Sequence, residues 1–392
     1  MEKTSLFFSA NTPEAVKEEI QTEMGVLSMN QMEKYLGLPP IIGKSKRKAF
    51  EEIKNKIWRK VGGWKEKLLS QAGKEVLIKL VAQAIPTYAM SVFQLPVACS
   101  NEINSMLSNY WWGQKHGERR IHWMGWKKLA RSKKVGGMGF RDLKLFNSAL
   151  LARQCWRLLH NPHSLIFRVL KSKYFPNSSF LEAKMSPTAS YAWKSLLGAR
   201  EVIELGSRWR VGSGTHIRIW KDRWLPTRTT FKVQSPVNTL HENATVDSLI
   251  IQSSRQWNVP LIDEIFEASE AAIIKSIPLS NRISSDVLIW SETRNGMYSV
   301  KSAYHLLMEA KQRNEAGESS NTSRERDLWK GIWEASVPQK IKLFIWKACK
   351  GILPTKLNLF RKKVSNSFTC EFCDEEPECF GRVSICSRSL GT

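Results

Sequence analysis

Four cysteines crowd the last stretch of the chain: Cys370, Cys373, Cys379 and Cys386. A Cys-x2-Cys turn sets two thiolates on one zinc ion, and two further thiolates close a tetrahedral structural site. The first pair carries most of that signal, because the spacing to Cys379 and Cys386 is unusual. Two readings stay open: a structural zinc knuckle, or a cysteine-bearing tail without metal. Cys99, Cys155 and Cys349 stand singly inside apolar or helical patterns and read as small buried thiols. An odd count of seven, with four clustered at one end, argues against a secreted disulfide framework. A reducing compartment, nuclear or cytoplasmic, is expected.

The second chemical feature is charge. Lys and Arg number 60 against 36 Asp and Glu, a formal net charge of +24. Phosphate polymers are the usual partners of such a balance, because released counterions drive association. The 16 Trp sharpen this. Many sit beside cations, as in Ile57-Trp58-Arg59-Lys60, Gly63-Trp64-Lys65 and Gly125-Trp126-Lys127-Lys128. Aromatic faces among cations suit base stacking with phosphate pairing. The competing reading for each Trp is a core anchor on an amphipathic element. No apolar run is long enough to span a bilayer, so no membrane partner is expected.

Catalytic patterns are missing. Two-metal nucleotidyl transfer needs converging carboxylates. The chain has only seven Asp, none next to another. Its Glu-Glu pairs lie in helical or tail contexts, where neighbours point apart. Gly136-Gly137-Met138-Gly139 has the wrong spacing for a phosphate cradle and reads as a tight turn. His160 and His163 flank Pro162 at a helix end and read as a cap rather than a metal pair.

The elements that position these residues follow from periodicity. Short strands are expected at 5–9 and 34–38, with a helix between Thr12 and Gly25. Phe50, Ile53, Ile57 and Val61 mark the apolar face of a basic helix that Gly62-Gly63 should end. Val76 to Ala84 and Asn101 to Gly113 predict two more helices, and the three form a bundle with one positive face. Phe146 to Leu159 predicts another helix. Ser207 to Trp220 reads as a hairpin, as does Val287 to Val300 around Asn295-Gly296. Residues 231–280 read as a connector with one helix near Asp263 to Ser276. Residues 312–326 read as a polar linker. Helices at Gln339 to Lys350 and Thr355 to Lys363 lead to the cysteines. The fold class expected is mostly α with short β-hairpins (α+β).

Several segments resemble one family, in one order. Lys34-Tyr35-Leu36-Gly37 resembles the Tyr-Leu-Gly element past the catalytic strands of LINE-type (non-LTR) reverse transcriptases. Lys3 to Ser9 is similar to the segment before it in plant retroelement polyproteins. Gly63-Trp64-Lys65-Glu66-Lys67-Leu68-Leu69-Ser70, Gly136 to Leu143 and Ile219-Trp220-Lys221-Asp222-Arg223-Trp224-Leu225-Pro226 continue the match. Asn295 to Tyr304, Pro338 to Trp346 and Cys370-Glu371-Phe372-Cys373 resemble the family's zinc-binding domain.

The resemblance implies a residual palm edge over 1–43 and a thumb-like basic bundle over 44–115. It implies a connection region over 116–280 and a zinc-binding domain over 281–392. Lys44, Lys46, Arg47, Lys48, Lys54, Lys56, Arg59, Lys60, Lys65 and Lys67 would meet phosphates, and Trp64 would stack. RNA, DNA or an RNA–DNA duplex would be the partner. The family's adjacent Asp pair lies upstream of the Lys3 segment, so a truncated protein without polymerase activity is expected. Arg382 stands where the family zinc pattern has His, and a protonated Arg cannot ligate zinc. The alternatives are a protein-interaction module or a product without function, and a nuclease built on scattered acids.

Overall fold

The computed structural model describes Leu6, Phe8, Ile42 and Pro377, and residues 11–25, 45–65, 69–113, 120–227, 230–237, 239–280, 282, 284–315 and 322–370. The chain is mostly helical, with two small antiparallel sheets of two strands each among the described residues. This is the α+β class expected from the sequence. The strands expected at 5–9 and 34–38 lie outside the described residues, apart from Leu6 and Phe8. The chain divides into two compact units.

The first unit combines residues 1–89, 95–144 and 318–392. The helix Glu14–Met24 starts after Pro13 and ends where Gly25 turns left-handed. The helix Glu51–Lys65 packs on the helix Val97–Trp111. Phe50, Ile53, Ile57 and Val61 are its buried ridge. Gly62-Gly63 does not end this helix, which runs on to Lys65. Glycine lowers helix propensity by only about 1 kcal/mol, and tertiary packing overrides it. Gln71–Leu77 is capped by Ser70 and runs into a π turn over Ile78–Ala82. The expected linker at 312–326 is narrower than its composition suggests. A helix continues to Glu315 and another begins at Thr322. Trp329 and Ile332 explain the second one, since both are buried on its inner side.

A buried carboxylate ties this unit together. Glu75 accepts from Lys79 at 2.6 Å, from Lys133 at 2.8 Å and from Gln339 Nε2 at 3.3 Å. Burial alone would raise this carboxyl, but the two ammonium hydrogen bonds outweigh it and hold it below the usual carboxylate range. The turn at Gly136 to Gly139 closes nearby, with Gly139 N–H donating to the Arg131 carbonyl at 2.8 Å. A Cβ on Gly137 would meet that carbonyl oxygen at 2.0 Å, so only glycine fits. The turn is structural, as its spacing suggested. The Trp346 indole donates to the Gly136 carbonyl at 3.0 Å.

The second unit spans 90–94 and 145–317. Its first core is aromatic. Trp193 is fully buried and stacks on Tyr174 and on Phe175, with centroids 4.7 and 5.4 Å apart. Trp290 packs edge-on to Trp156 and donates to Ser302 Oγ at 2.8 Å. Gly206 lies so close to Trp290 that a Cβ would sit 2.4 Å from the indole. His160 does cap its helix. One ring nitrogen contacts the Trp156 carbonyl and the other the Leu288 carbonyl, each at 3.0 Å. A second core gathers Ile217, Ile219, Trp224, Val246, Leu249 and Ile262.

Two strand expectations need correction. Ser207–Arg210 pairs antiparallel with Val287–Trp290, not with the segment ending at Trp220. Ile217 and Ile219 are buried in the second core, and their backbone instead bonds Ala244 and Val246. The Asn295-Gly296 turn forms, with Trp290 N–H bonding the Gly296 carbonyl, but the chain beyond it enters the helix Val300–Glu315. The expected single helix near 263–276 is two, Val259–Ile265 and Ala268–Ser276.

Acidic side chains hold the irregular stretches of this unit. Asp286, 1% exposed, accepts from the amides of Gly212, Gly214 and His216 at 2.8, 2.8 and 3.0 Å. Glu270 likewise accepts from the amides of Gln234 and Ser235 and from the Ser235 hydroxyl. Asp286→Ala leaves three amides without their acceptor, at roughly 1–3 kcal/mol each. Urea unfolding should show a loss of at least about 3 kcal/mol. A loss below about 1 kcal/mol would contradict this role.

Candidate nucleic-acid interface and cysteine cluster

The basic helix Glu51–Lys65 turns 100° per residue about its buried ridge. Ile53, Ile57 and Val61 face inward, so the cations divide between two flanks. Lys54 and Trp58 share one flank at i,i+4, and Lys56 and Lys60 share the other. Arg59 lies exposed beside the second flank. Glu51 and Glu52 occupy the first turn, where negative charge suits the helix dipole. Lys56 reaches Glu52 at 3.5 Å.

A one-turn helix, Lys46–Ala49, precedes it and carries Lys46, Arg47 and Lys48. Arg47 and Lys54 converge on one carboxylate, Glu102 of the helix Val97–Trp111, at 2.8 and 2.9 Å. The Lys54 hydrogen bond, with help from Arg47, holds Glu102 below the ordinary carboxylate range. Beside this clamp opens a cavity of ≈ 530 Å³, lined by Lys54, Asn55, Trp58, Glu102, Ser105, Met106 and Asn109. Trp58 is 56% exposed, although large aromatics usually anchor cores. Trp64 turns inward instead, its ring 5.7 Å from that of Tyr110.

The structure thus sets Lys54 and Trp58 in the wall of one cavity, ties Arg47 to it through Glu102, and sets Lys56, Arg59 and Lys60 on the remaining surface. Among the described residues, Lys48, Arg59 and Lys60 have no ion-pair partner. Lys44 and Lys67 lie outside the described residues, as does the side chain of Lys65. Sequence reasoning missed Glu102, whose partners are 48 and 55 positions away and leave no local signal. It also read Trp58 only as one of many cation-flanked indoles. Trp224, another of these, is fully buried and donates to the Ile219 carbonyl, so it offers no stacking face.

The cysteines separate by environment. Cys99 and Cys155 are buried, as expected. Burial pushes the Cys155 thiol up to about 12. Cys349 is exposed, against expectation, as the last residue of the helix Gln339–Cys349. Cys370 is buried, and an isolated antiparallel bridge pairs Thr369 with Pro377. Cys373, Cys379 and Cys386 lie outside the described residues. Among the described residues, no three His, Cys, Asp or Glu side chains come together to hold a metal ion. No helix among them is long and apolar enough to cross a membrane.

Comparison with known proteins follows the same lines. Residues 298–387 match the family described as zinc-binding in reverse transcriptase. A putative ribonuclease H protein of Arabidopsis thaliana is 28% identical over 342 residues, 86% of this chain and 54% of that protein. An uncharacterized mitochondrial protein of the same plant is 43% identical over 147 residues, 37% of this chain and 96% of that protein. The chain therefore spans about half the length of the first relative and nearly all of the second.

Proposed function

Given that this chain belongs to the plant retrotransposon reverse-transcriptase-related proteins, we propose that it holds nucleic acid on the surface of the Glu51–Lys65 helix and adds no nucleotides itself. The helix acts as a LINE-type thumb within the 44–115 block. The palm edge (1–43), the connection (116–280) and the zinc-binding domain (281–392) flank it. The observation that carries this reading is the exposed set Lys48, Arg59 and Lys60, which has no ion-pair partner among the described residues. Glu102 fixes Arg47 and Lys54 beside the exposed indole of Trp58. Lys56, Arg59 and Lys60 extend the positive surface along the backbone of a duplex. Such contacts position a duplex without reading its sequence. Four acids among the described residues have structural partners. Glu75, Asp286 and Glu270 are committed to lysines, amides and a hydroxyl, and Asp222 to Arg218.

Zinc, when bound, would supply a fixed tetrahedral brace for the C-terminal segment. Cys370 and Cys373 are the first two thiolates in this reading, with Cys379 and Cys386 completing the set. Elemental analysis of protein purified under reducing conditions should then find one zinc per chain, lost in Cys370→Ser. Metal-free wild-type protein that refuses added zinc would exclude the brace.

The nucleic-acid reading is tested by salt dependence. Each phosphate neutralised on duplex contributes a slope of about 0.9 to log affinity against log salt. The triple variant Lys56→Gln, Arg59→Gln, Lys60→Gln should lower the duplex slope by roughly 2.7. An unchanged slope rejects this surface. Absence of any duplex binding by wild-type protein favours the interaction-module reading. Primer extension with magnesium should yield no product, and incorporation above a blank would overturn the non-catalytic reading.

A further inference from the structure

A second cavity, ≈ 440 Å³, opens in the first unit between the segment at Trp123 to Lys128 and the end of the helix Gln339–Cys349. Its wall includes Trp123, Trp126, Lys127, Lys128, Lys350 and Ile352. None of these belongs to the surface of the Glu51–Lys65 helix. We propose that this cavity takes one unpaired nucleotide of a single-stranded nucleic acid, its base against the Trp123 and Trp126 rings and its flanking phosphates on Lys127, Lys128 and Lys350. The proposal rests on the nucleic-acid reading above and adds a second form of ligand at a separate place.

Three observations carry it. The volume lies within the roughly 300–1,000 Å³ of small-molecule sites, which a base and its sugar fit and a duplex does not. The aromatic wall is pre-set, since Trp126 stacks on Phe140 with centroids 5.0 Å apart and rings 5° from parallel. The Trp126 Nε1–H is buried without a hydrogen-bond partner among the described residues, an unmet donor in the wall of the cavity.

The charges agree with an anionic ligand. Lys127 and Lys128 are exposed beside the cavity. Lys350 lies over the Trp329 ring at 4.2 Å. Burial, then the nearby Arg131 and Lys128, pulls Lys350 below the ordinary lysine range, and Glu325 opposes the shift. A phosphate at this wall would offset that repulsion. A duplex hides its base faces, whereas an unpaired base can stack on an aromatic ring.

The test uses the full chain in reducing buffer. A fluorescent oligothymidine carrying one 5-iodouracil is bound, irradiated and mapped by mass spectrometry. Cross-links should fall on the peptide holding Trp123 and Trp126. In anisotropy titrations, Lys127→Gln with Lys128→Gln should lower the single-strand salt slope by about 1.4 and leave the duplex slope unchanged. Trp123→Ala should weaken single-strand binding roughly five- to 100-fold, with Trp123→Phe restoring most of it. Cross-links elsewhere, or none, would overturn the proposal, as would wild-type behaviour of the lysine pair or equal loss on duplex. Competition by polyglutamate as strong as by oligothymidine would assign the cavity to an acidic peptide instead. Failure here leaves the duplex slope of the Lys56, Arg59 and Lys60 variant unaffected, so the two readings fall separately.

Discussion

Excess positive charge is the constraint that shapes this molecule. With 60 cations and 36 carboxylates, the chain cannot pair every ammonium and guanidinium internally. The few acids inside the fold are therefore placed where they do most. Glu75 serves Lys79 one turn on, and Lys133 and Gln339 from distant segments of the first unit. A buried carboxylate left alone would cost several kcal/mol, but this one sits among donors that satisfy it. In the second unit the partners are backbone amides, and Asp286 and Glu270 fasten loops that have no ladder of their own. Some cations also meet aromatic rings, paired or not. Lys133 lies 4.1 Å from the centre of Trp333, and Lys350 4.2 Å from that of Trp329. Such contacts disperse charge without using a carboxylate.

The cost of this crowding is visible in the lysines. Burial, and then Arg120, pulls Lys74 below its ordinary range. Burial, and then Lys74, does the same to Lys347. These groups keep their charge less readily folded than unfolded, which opposes folding near neutral pH. A polyanion at the surface would reverse that balance. Fold and proposed function thus share one physical cause, a positive field that only an external anion can neutralise.

Local patterns were legible in the sequence where one residue's neighbours along the chain decide its fate. The ridge at Phe50, Ile53, Ile57 and Val61, the cap at Gly25 and the turn at Asn295-Gly296 all follow from spacing or backbone freedom. Partners distant in sequence were not legible. Ile217 and Ile219 alternate as a strand should, yet nothing in that alternation says that their backbone meets Ala244 and Val246. Gly62-Gly63 signals a stop that tertiary packing ignores. Cys349 sits in an apolar pattern but ends its helix and stays exposed. The candidate interface divides in the same way. Its cations could be read from composition, whereas the Glu102 clamp and the Trp123 and Trp126 cavity exist only because separate segments meet in space.

Thermal unfolding at low salt, with and without a short RNA–DNA duplex, tests the central claim most directly. Binding to the folded state alone at 100 times the dissociation constant adds about 2.7 kcal/mol. A saturable rise in melting temperature of several degrees, abolished by moderate salt, is the predicted result. A melting temperature that ignores the duplex at every salt concentration would contradict the account.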